Sequence, residues 1–306
     1  MGRLIHLALL VGLGGAVGAA SPQQRAEPPV LSVRTDLVTL SVTVVDPQGA
    51  LVAGLGPENF SVYDNGERQT IQFFTSEDLP ATIGLIVDSS GSMRGRRDDV
   101  TVAATAFAAM RHPLDEFFTL NFNEAVWPAL PPHVTFTEDT DQLRAALSLV
   151  PARGMTALYD AIDRGLNYLQ RGTRDRKALI VIGDGGDNAS AHTLAEVLER
   201  ARRTNAAIYS VTLFDPDNRD ARPQVLKTLA REAGGRAFTP KRTEDVMRSF
   251  AQIAQEIRSG YTIGFAPAET SEGGFRSIRI VADAGNHRQL IARTRAGYYA
   301  RPSRVR

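Results

Sequence analysis

The sequence predicts an α/β protein: a doubly wound, Rossmann-like, mostly parallel sheet, inserted in or flanked by a small β-sandwich built from N- and C-terminal segments. Three observations predict it. Between residues 80 and 258 the runs "ATIGLIVD", "FFTLNF", "ALIVIGD" and "AAIYSVTLF" are short and almost wholly apolar, as strands buried on both faces of a parallel sheet are. Helical repeats lie between these runs, and strand alternating with helix is the pattern of a doubly wound sheet. In the two flanks, 30–78 and 259–300, apolar and polar residues alternate instead, which is the pattern of strands with one wet face.

The elements follow in order. Residues 1–20 have a basic Arg3, an apolar run from Leu4 and small residues Gly18, Ala19 and Ala20, which read as a secretory signal cut after Ala20. The competing reading is an uncleaved anchor, but the run is shorter than the roughly 20 apolar residues of a comfortable span and is diluted by glycine. A periplasmic or secreted location follows, with no stable membrane span after cleavage. Residues 21–29 are a polar, proline-containing linker, and 301–306 a short tail.

In the first flank, "LSVRTDLVTLSVTVVD" and "FSVYDNGERQTIQFF" alternate around Asp64, Asn65 and Gly66, the signature of a hairpin turn. Within the α/β part, Leu158, Ala161, Ile162, Gly165, Leu166 and Leu169 fall on one helical face. So do Val246, Met247, Phe250, Ile253 and Ile257 in a later helix. Alternation returns after Gly260. An isolated hairpin is barely stable in water, so the two flanks are expected to close one sandwich; two separate appendages are the alternative.

Composition narrows function by exclusion. The 306 residues are 43% hydrophobic and 23% charged, ordinary for a globular chain with a sizeable core. Lys plus Arg number 35 against 34 Asp plus Glu, so no net field draws in nucleic acid or an anionic membrane. There is no cysteine, hence no disulfide and no lipid on an N-terminal cysteine, which fits a bacterial exported protein held by its core.

Three loops bring hard oxygens to the carboxyl ends of predicted strands, where open α/β sheets bind ligands. "IVDSSGSM" carries Asp88, Ser90 and Ser92 at alternate positions, "RGMTALYD" carries Thr156 before a helix, and "IGDGGDN" carries Asp184. Two carboxylates and three hydroxyls without His or Cys suit Mg²⁺, Mn²⁺ or Ca²⁺ rather than zinc or copper. Taken alone, "DSSGS" is equally a plain turn, since Asp, Ser and Gly are turn formers.

"DSSGSM", together with Thr156 and Asp184, resembles the metal-ion-dependent adhesion site of the von Willebrand factor type A (VWA) domain. The resemblance covers about residues 80–258, and all five positions match. It implies a VWA-type sheet and a Mg²⁺ held directly by Ser90 and Ser92, with Asp88, Thr156 and Asp184 acting directly or through water. It also implies a protein partner whose Asp or Glu carboxylate completes the coordination. The flanks, through "LGPENFSVYDNGERQTIQFF" and "RSGYTIGFAP", look like those of bacterial exported proteins of this type.

Other residues receive plainer expectations. Asp187 is read as a cap for the segment that follows it, and Asp98 and Asp99 as helix N-terminal charges. "DPDNRD" at 215–220 is read as a solvated loop, and "RGRR" at 94–97 as an exposed basic corner or the border of an acidic ligand. Trp127 before Pro128 is placed on an edge strand or loop. Of five histidines, His6 falls in the leader, and His112, His133, His192 and His287 show no metal-ligand spacing. Without a Gly-x-Ser-x-Gly elbow, Walker loop or His-Glu-x-x-His, no enzyme is expected. The rivals are a metal-assisted hydrolase or phosphatase, which lacks an evident acid or base, and an envelope-assembly component with a purely structural metal.

Overall fold

The computed structural model describes residues 37–148, 152–213, 220–267, 273–285 and 289–300. The leader, the linker, the first residues of the N-terminal flank, most of "DPDNRD", His287 and the tail lie outside the described residues.

Four strands come first: β1 (Val38–Val45), β2 (Phe60–Asp64), β3 (Glu67–Gln69) and β4 (Ile71–Thr75). The α/β part then runs through β5 (Ala81–Asp88), α1 (Arg97–Ala109), β6 (Glu116–Phe122), β7 (Val126–Pro128), α2 (Thr140–Ser148) and α3 (Leu158–Arg171). It continues through β8 (Arg176–Gly183), α4 (Leu194–Arg203), β9 (Ala206–Thr212), α5 (Pro223–Glu232), β10 (Ala237–Phe238) and α6 (Thr243–Arg258). Four strands close the chain: β11 (Tyr261–Phe265), β12 (Gly274–Ala282), β13 (Ile291–Arg293) and β14 (Gly297–Ala300).

The central sheet has the order β10-β9-β8-β5-β6-β7, parallel except for the antiparallel edge strand β7. Trp127 sits half-buried on that edge, and Pro128 at its end faces Leu120 in register. Along β5, Ala81, Ile83, Leu85 and Val87 point to a core shared with α1 and α6, while Ile86 points to one shared with α3, α4 and α5. The helices therefore cover both faces, and α2 contributes to both cores. Gly165 marks where α3 comes closest to β5, since a Cβ there would lie 2.8 Å from Ile86 Cδ1.

The remaining strands form two antiparallel sheets, β13-β1-β11-β4 and β14-β12-β2-β3, each mixing strands from both ends of the chain. Leu40, Val42, Phe60, Val62, Ile263, Phe265, Ile278 and Ile280 from the two sheets share one core, so the flanks build a single sandwich. Asn65 and Gly66 both have positive φ, 49° and 87°, as the tight turn between β2 and β3 requires.

One expected core residue is misplaced. Met247 on α6 is 43% exposed, and Ser249 and Ala254 instead join Val246, Phe250, Ile253 and Ile257 on the buried face. A helix one residue out of phase with its apolar stripe exposes the end member of that stripe, and Met tolerates exposure well.

At the amino ends of the central strands the sandwich joins the α/β part through long basic side chains. Adjacent residues on β8 point to opposite faces. Arg176 donates to the carbonyls of Ile257 (2.7 Å) and Gly260 (3.1 Å) at the end of α6, while Lys177 donates to those of Leu169 (2.6 Å) and Gly172 (3.0 Å) at the end of α3. Each satisfies helix carbonyls that have no partner within the helix. Arg295 reaches the Thr39 carbonyl (3.1 Å), and burial lowers its guanidinium to about 10. No helix among the described residues is long and apolar enough to cross a membrane.

Candidate functional site

Strands β5 and β8 are neighbours in register, Val87 facing Ile182, so their carboxyl ends deliver Asp88 and Asp184 side by side. Gly183 makes the approach feasible, because a Cβ there would lie 2.9 Å from Asp88 Cβ and 3.0 Å from its Oδ2. The Ser90 N–H donates to Asp88 Oδ1 at 2.8 Å, which turns the chain immediately after the strand. A 3₁₀ turn, Gly91–Arg96, then leads into α1.

The two loops are tied to each other by short polar side chains. Ser90 Oγ and Ser92 Oγ are 3.0 Å apart, and Ser92 Oγ donates to Asp184 Oδ2 at 2.8 Å. The other oxygen, Asp184 Oδ1, accepts the Gly186 N–H at 2.9 Å. Ser90, Ser92, Thr156 and Asp184 all line one cavity of about 360 Å³, while Asp88 lies beneath Ser90. Such a volume admits the tip of a side chain or a small ligand.

Electrostatically the site is frustrated as it stands. Asp88 and Asp184 are each only 2% exposed. Burial pushes the Asp88 carboxyl up to about 7, against two hydrogen bonds from Ser90 and with a further push from the Asp184 charge. Positive charge at the cavity would hold the Asp88 carboxylate ionised, and an all-oxygen donor set fits a hard divalent cation. No group of three or more His, Cys, Asp or Glu residues among the described residues could hold a metal, so hydroxyls have to complete any ligand set here.

The third loop is held from elsewhere in the chain. The Thr156 N–H donates to Asn188 Oδ1 (2.8 Å), and the Thr156 carbonyl accepts from the Asn188 N–H (2.9 Å) and the Ala189 N–H (3.1 Å). Ala157, at the N-cap of α3, has no side-chain acceptor, and the cap comes in trans. Ser190 Oγ accepts from the N–H groups of Tyr159 (3.0 Å) and Asp160 (3.2 Å), and Asp187 Oδ1 accepts from Tyr159 (3.2 Å) and Ser190 Oγ (2.5 Å). Asp187 therefore caps α3 rather than the segment after it. The signals for this clamp were a helix start without its own cap and a cluster of capping residues in "GDNAS".

The structure adds detail to three further expectations. Arg222 lines the cavity, and its backbone N–H donates to the Asp184 carbonyl at 3.1 Å; neither Arg94 nor Arg96 lines it, which agrees with the reading of an exposed basic corner. Asp220, the last residue of "DPDNRD", lines the cavity too. Asp99 does more than charge a helix end. It is buried, accepts from Thr243 Oγ1 at 2.6 Å and pairs with Arg96 at 3.1 Å, which straps α1 to the start of α6. Met155, 54% exposed, forms part of the rim. His112, His133 and His192 do not line the cavity.

Residues 83–186 match the family model of the von Willebrand factor type A domain. Among solved structures, a von Willebrand factor type A protein from Catenulispora acidiphila is 13% identical, with a TM-score of 0.52 over 88% of this chain and 74% of that one. The vWF domain of the type V pili tip protein Mfa5 from Porphyromonas gingivalis is 13% identical, with a TM-score of 0.50 over 59% of this chain and 95% of that one. At these identities the likeness is one of fold. No curated protein matches the chain by sequence.

Proposed function

With a von Willebrand factor type A domain at residues 83–186 as the premise, we propose that this chain is a metal-ion-dependent protein-binding module of adhesion type in an exported bacterial protein. The ion is Mg²⁺, with Mn²⁺ or Ca²⁺ as substitutes. Ser90 and Ser92 hold it directly, and Asp88, Thr156 and Asp184 hold it directly or through water. Bound there, the ion supplies an electrophilic position for an Asp or Glu carboxylate of the partner protein. The observation that carries the reading is the bonded chain Ser90, Ser92, Asp184, which joins two distant loops at the wall of a cavity shared with Thr156.

Two facts support recognition over turnover. Asp184 and Asp187 are engaged as acceptors by Ser92, Gly186, Tyr159 and Ser190, and the described cavity wall includes no histidine or lysine. Asp220 is the remaining carboxylate on that wall, so the groups commonest in ester cleavage, a histidine or a lysine, are not among its described residues. A pili tip protein among the structural neighbours supports a role for such a domain on a cell-surface appendage. The signal-like residues 1–20 support export.

Calorimetric titration of the full chain with MgCl₂ tests the metal, and a pull-down from envelope extract with Mg²⁺ or EDTA tests the partner. Asp88→Ala should abolish the Mg²⁺ heat and the Mg²⁺-dependent capture together. Equal capture in EDTA, or by Asp88→Ala, would refute the reading.

A further inference from the structure

We infer that the outer face of the sheet β14-β12-β2-β3, remote in sequence from the metal loops, is a second docking surface, built for an acidic protein segment. The strand β12 carries two arginines with opposite fates. Arg276 points toward the core side, where its Nε donates to both oxygens of the fully buried Asp64 at 2.8 and 2.9 Å. Arg279 lies on the other face, exposed, with its guanidinium carbon 4.0 Å from the centroid of the Tyr63 ring.

The strand register makes a row of these groups. Arg279 faces Tyr63 on β2, and Tyr63 faces Arg68 on β3, so two guanidinium groups flank one aromatic ring across three strands. Arg68 Nη2 donates to Ser61 Oγ at 3.3 Å. Among the described residues neither Arg68 nor Arg279 is paired with a carboxylate, whereas Arg202 and Arg203 of α4, which lie over the Phe275 and Tyr299 rings at the β14 end of the face, pair with Glu232 and Glu199. At one end the face runs to Asp283, whose carboxylate accepts the Gly285 N–H.

Arg279 stacked on a ring keeps its N–H edges free and loses little freedom when an anion arrives. Apolar side chains stand on the same face of β12, on either side of Arg279: Phe275 is 41% exposed and Val281 40%. A sulfated or uronic glycan matches the charges and can lay a ring face on Phe275, but it carries no apolar side chain to bury against Val281. An extended protein segment alternating acidic and apolar residues matches both, because same-face side chains on the two strands repeat at about 7 Å.

The test uses the full chain in EDTA, where the metal site takes no carboxylate, with two probes: a fluorescein-labelled octapeptide alternating Glu and Leu, and a heparin octasaccharide. Peptide anisotropy should rise saturably and fall with added salt. The double variant Arg68→Ser/Arg279→Ser should weaken binding about tenfold or more with unchanged thermal unfolding, and Phe275→Ser should weaken it severalfold. Asp88→Ala should bind the peptide like the parent chain, which separates this surface from the metal site. The inference is overturned if the double variant binds the peptide normally, if Asp88→Ala loses it, or if heparin binds while the peptide does not.

Discussion

The two ends of the central sheet are built from opposite materials. At the carboxyl ends the chain places short oxygen-bearing side chains, Asp88, Ser90, Ser92, Asp184 and Asn188, which bond across loops and still leave a cavity of about 360 Å³. At the amino ends it places long ones: Arg176, Lys177, Arg295 and the group of Arg236, Arg293 and Glu256, which fill the junction with the sandwich. Short donors with little side-chain entropy can hold a geometry open for an exchangeable ligand, whereas long guanidinium arms reach buried carbonyls and carboxylates and close the space permanently. A molecule made this way keeps its proposed binding end open and its sandwich end filled.

If that contrast is right, the two ends should fail differently. The largest effect on stability is expected at the junction. Glu256 is 3% exposed and lies 3.3 Å from Arg236 Nη1 and 2.8 Å from Arg293 Nη2, the latter within ion-pair distance but without hydrogen-bond geometry. Glu256→Ala strands two guanidinium groups over a buried gap, for a loss of about 3 kcal/mol, the low end for a broken buried pair because Arg236 keeps contact with water. Thermal unfolding should drop by roughly 6 to 10 °C, with Mg²⁺ affinity held within about twofold. A comparable loss of Mg²⁺ affinity would show that the two ends are coupled.

A smaller and differently placed effect is expected from Asn188→Ala. It removes the acceptor for the Thr156 N–H while leaving the Asn188 backbone bond in place. The stability change should be about 1 kcal/mol, and Mg²⁺ affinity should fall severalfold because Thr156 is no longer fixed at the cavity wall. Asn188→Asp, which keeps an acceptor oxygen, should retain most of that affinity. If both variants bind Mg²⁺ like the parent, Thr156 is positioned by α3 alone and the clamp is irrelevant to the site.

The sequence was most legible where an element answers to its own neighbours. Strands β5, β8 and β9 are legible because a strand buried on both faces has to be apolar at almost every position, and "ATIGLIV", "ALIVIG" and "AAIYSVT" are. The alternation of Asp88, Ser90 and Ser92 is legible because one turn contains it. What stayed hidden depends on partners far along the chain. Ser190 and Asp187 cap a helix that begins some thirty residues earlier, Arg176 bonds the end of α6, and Arg222 arrives at the cavity from the start of α5. The absence of a cap at Ala157 and the capping residues of "GDNAS" hinted at the first of these bonds, since an uncapped helix start demands an acceptor from somewhere. Met247 failed for a subtler reason: one residue of helical phase separates the stripe from its border, and apolarity alone does not fix the phase.

The smallest expected effect sharpens the contrast by asking whether charge holds the binding end at all. His192 Nδ1 lies 2.7 Å from Asp160 Oδ1, tying the loop after β8 to α3 outside the cavity, with side chains 42% and 28% exposed. The hydrogen bond to Asp160 holds the His192 ring above its ordinary value. Burial alone would raise the Asp160 carboxyl, but the N–H groups of Ala191 and His192 and the His192 ring outweigh it and hold it below the ordinary range. The His192 contribution is thus complete below about pH 6.5 and fades as pH rises through the raised histidine value. The Asp160 contribution is present above about pH 4 and fades as pH falls through the lowered carboxylate value. The pair stabilises most between those limits, by a few tenths of a kcal/mol given its exposure. The difference in unfolding temperature between the parent and His192→Gln should be about 1 °C or less near pH 5.5, shrink by pH 8.5, and shrink again in high salt. A difference that ignores both pH and salt would mean that the neutral ring's N–H makes the bond, and the binding end would then be held by uncharged hydrogen bonds even where a charged pair is available.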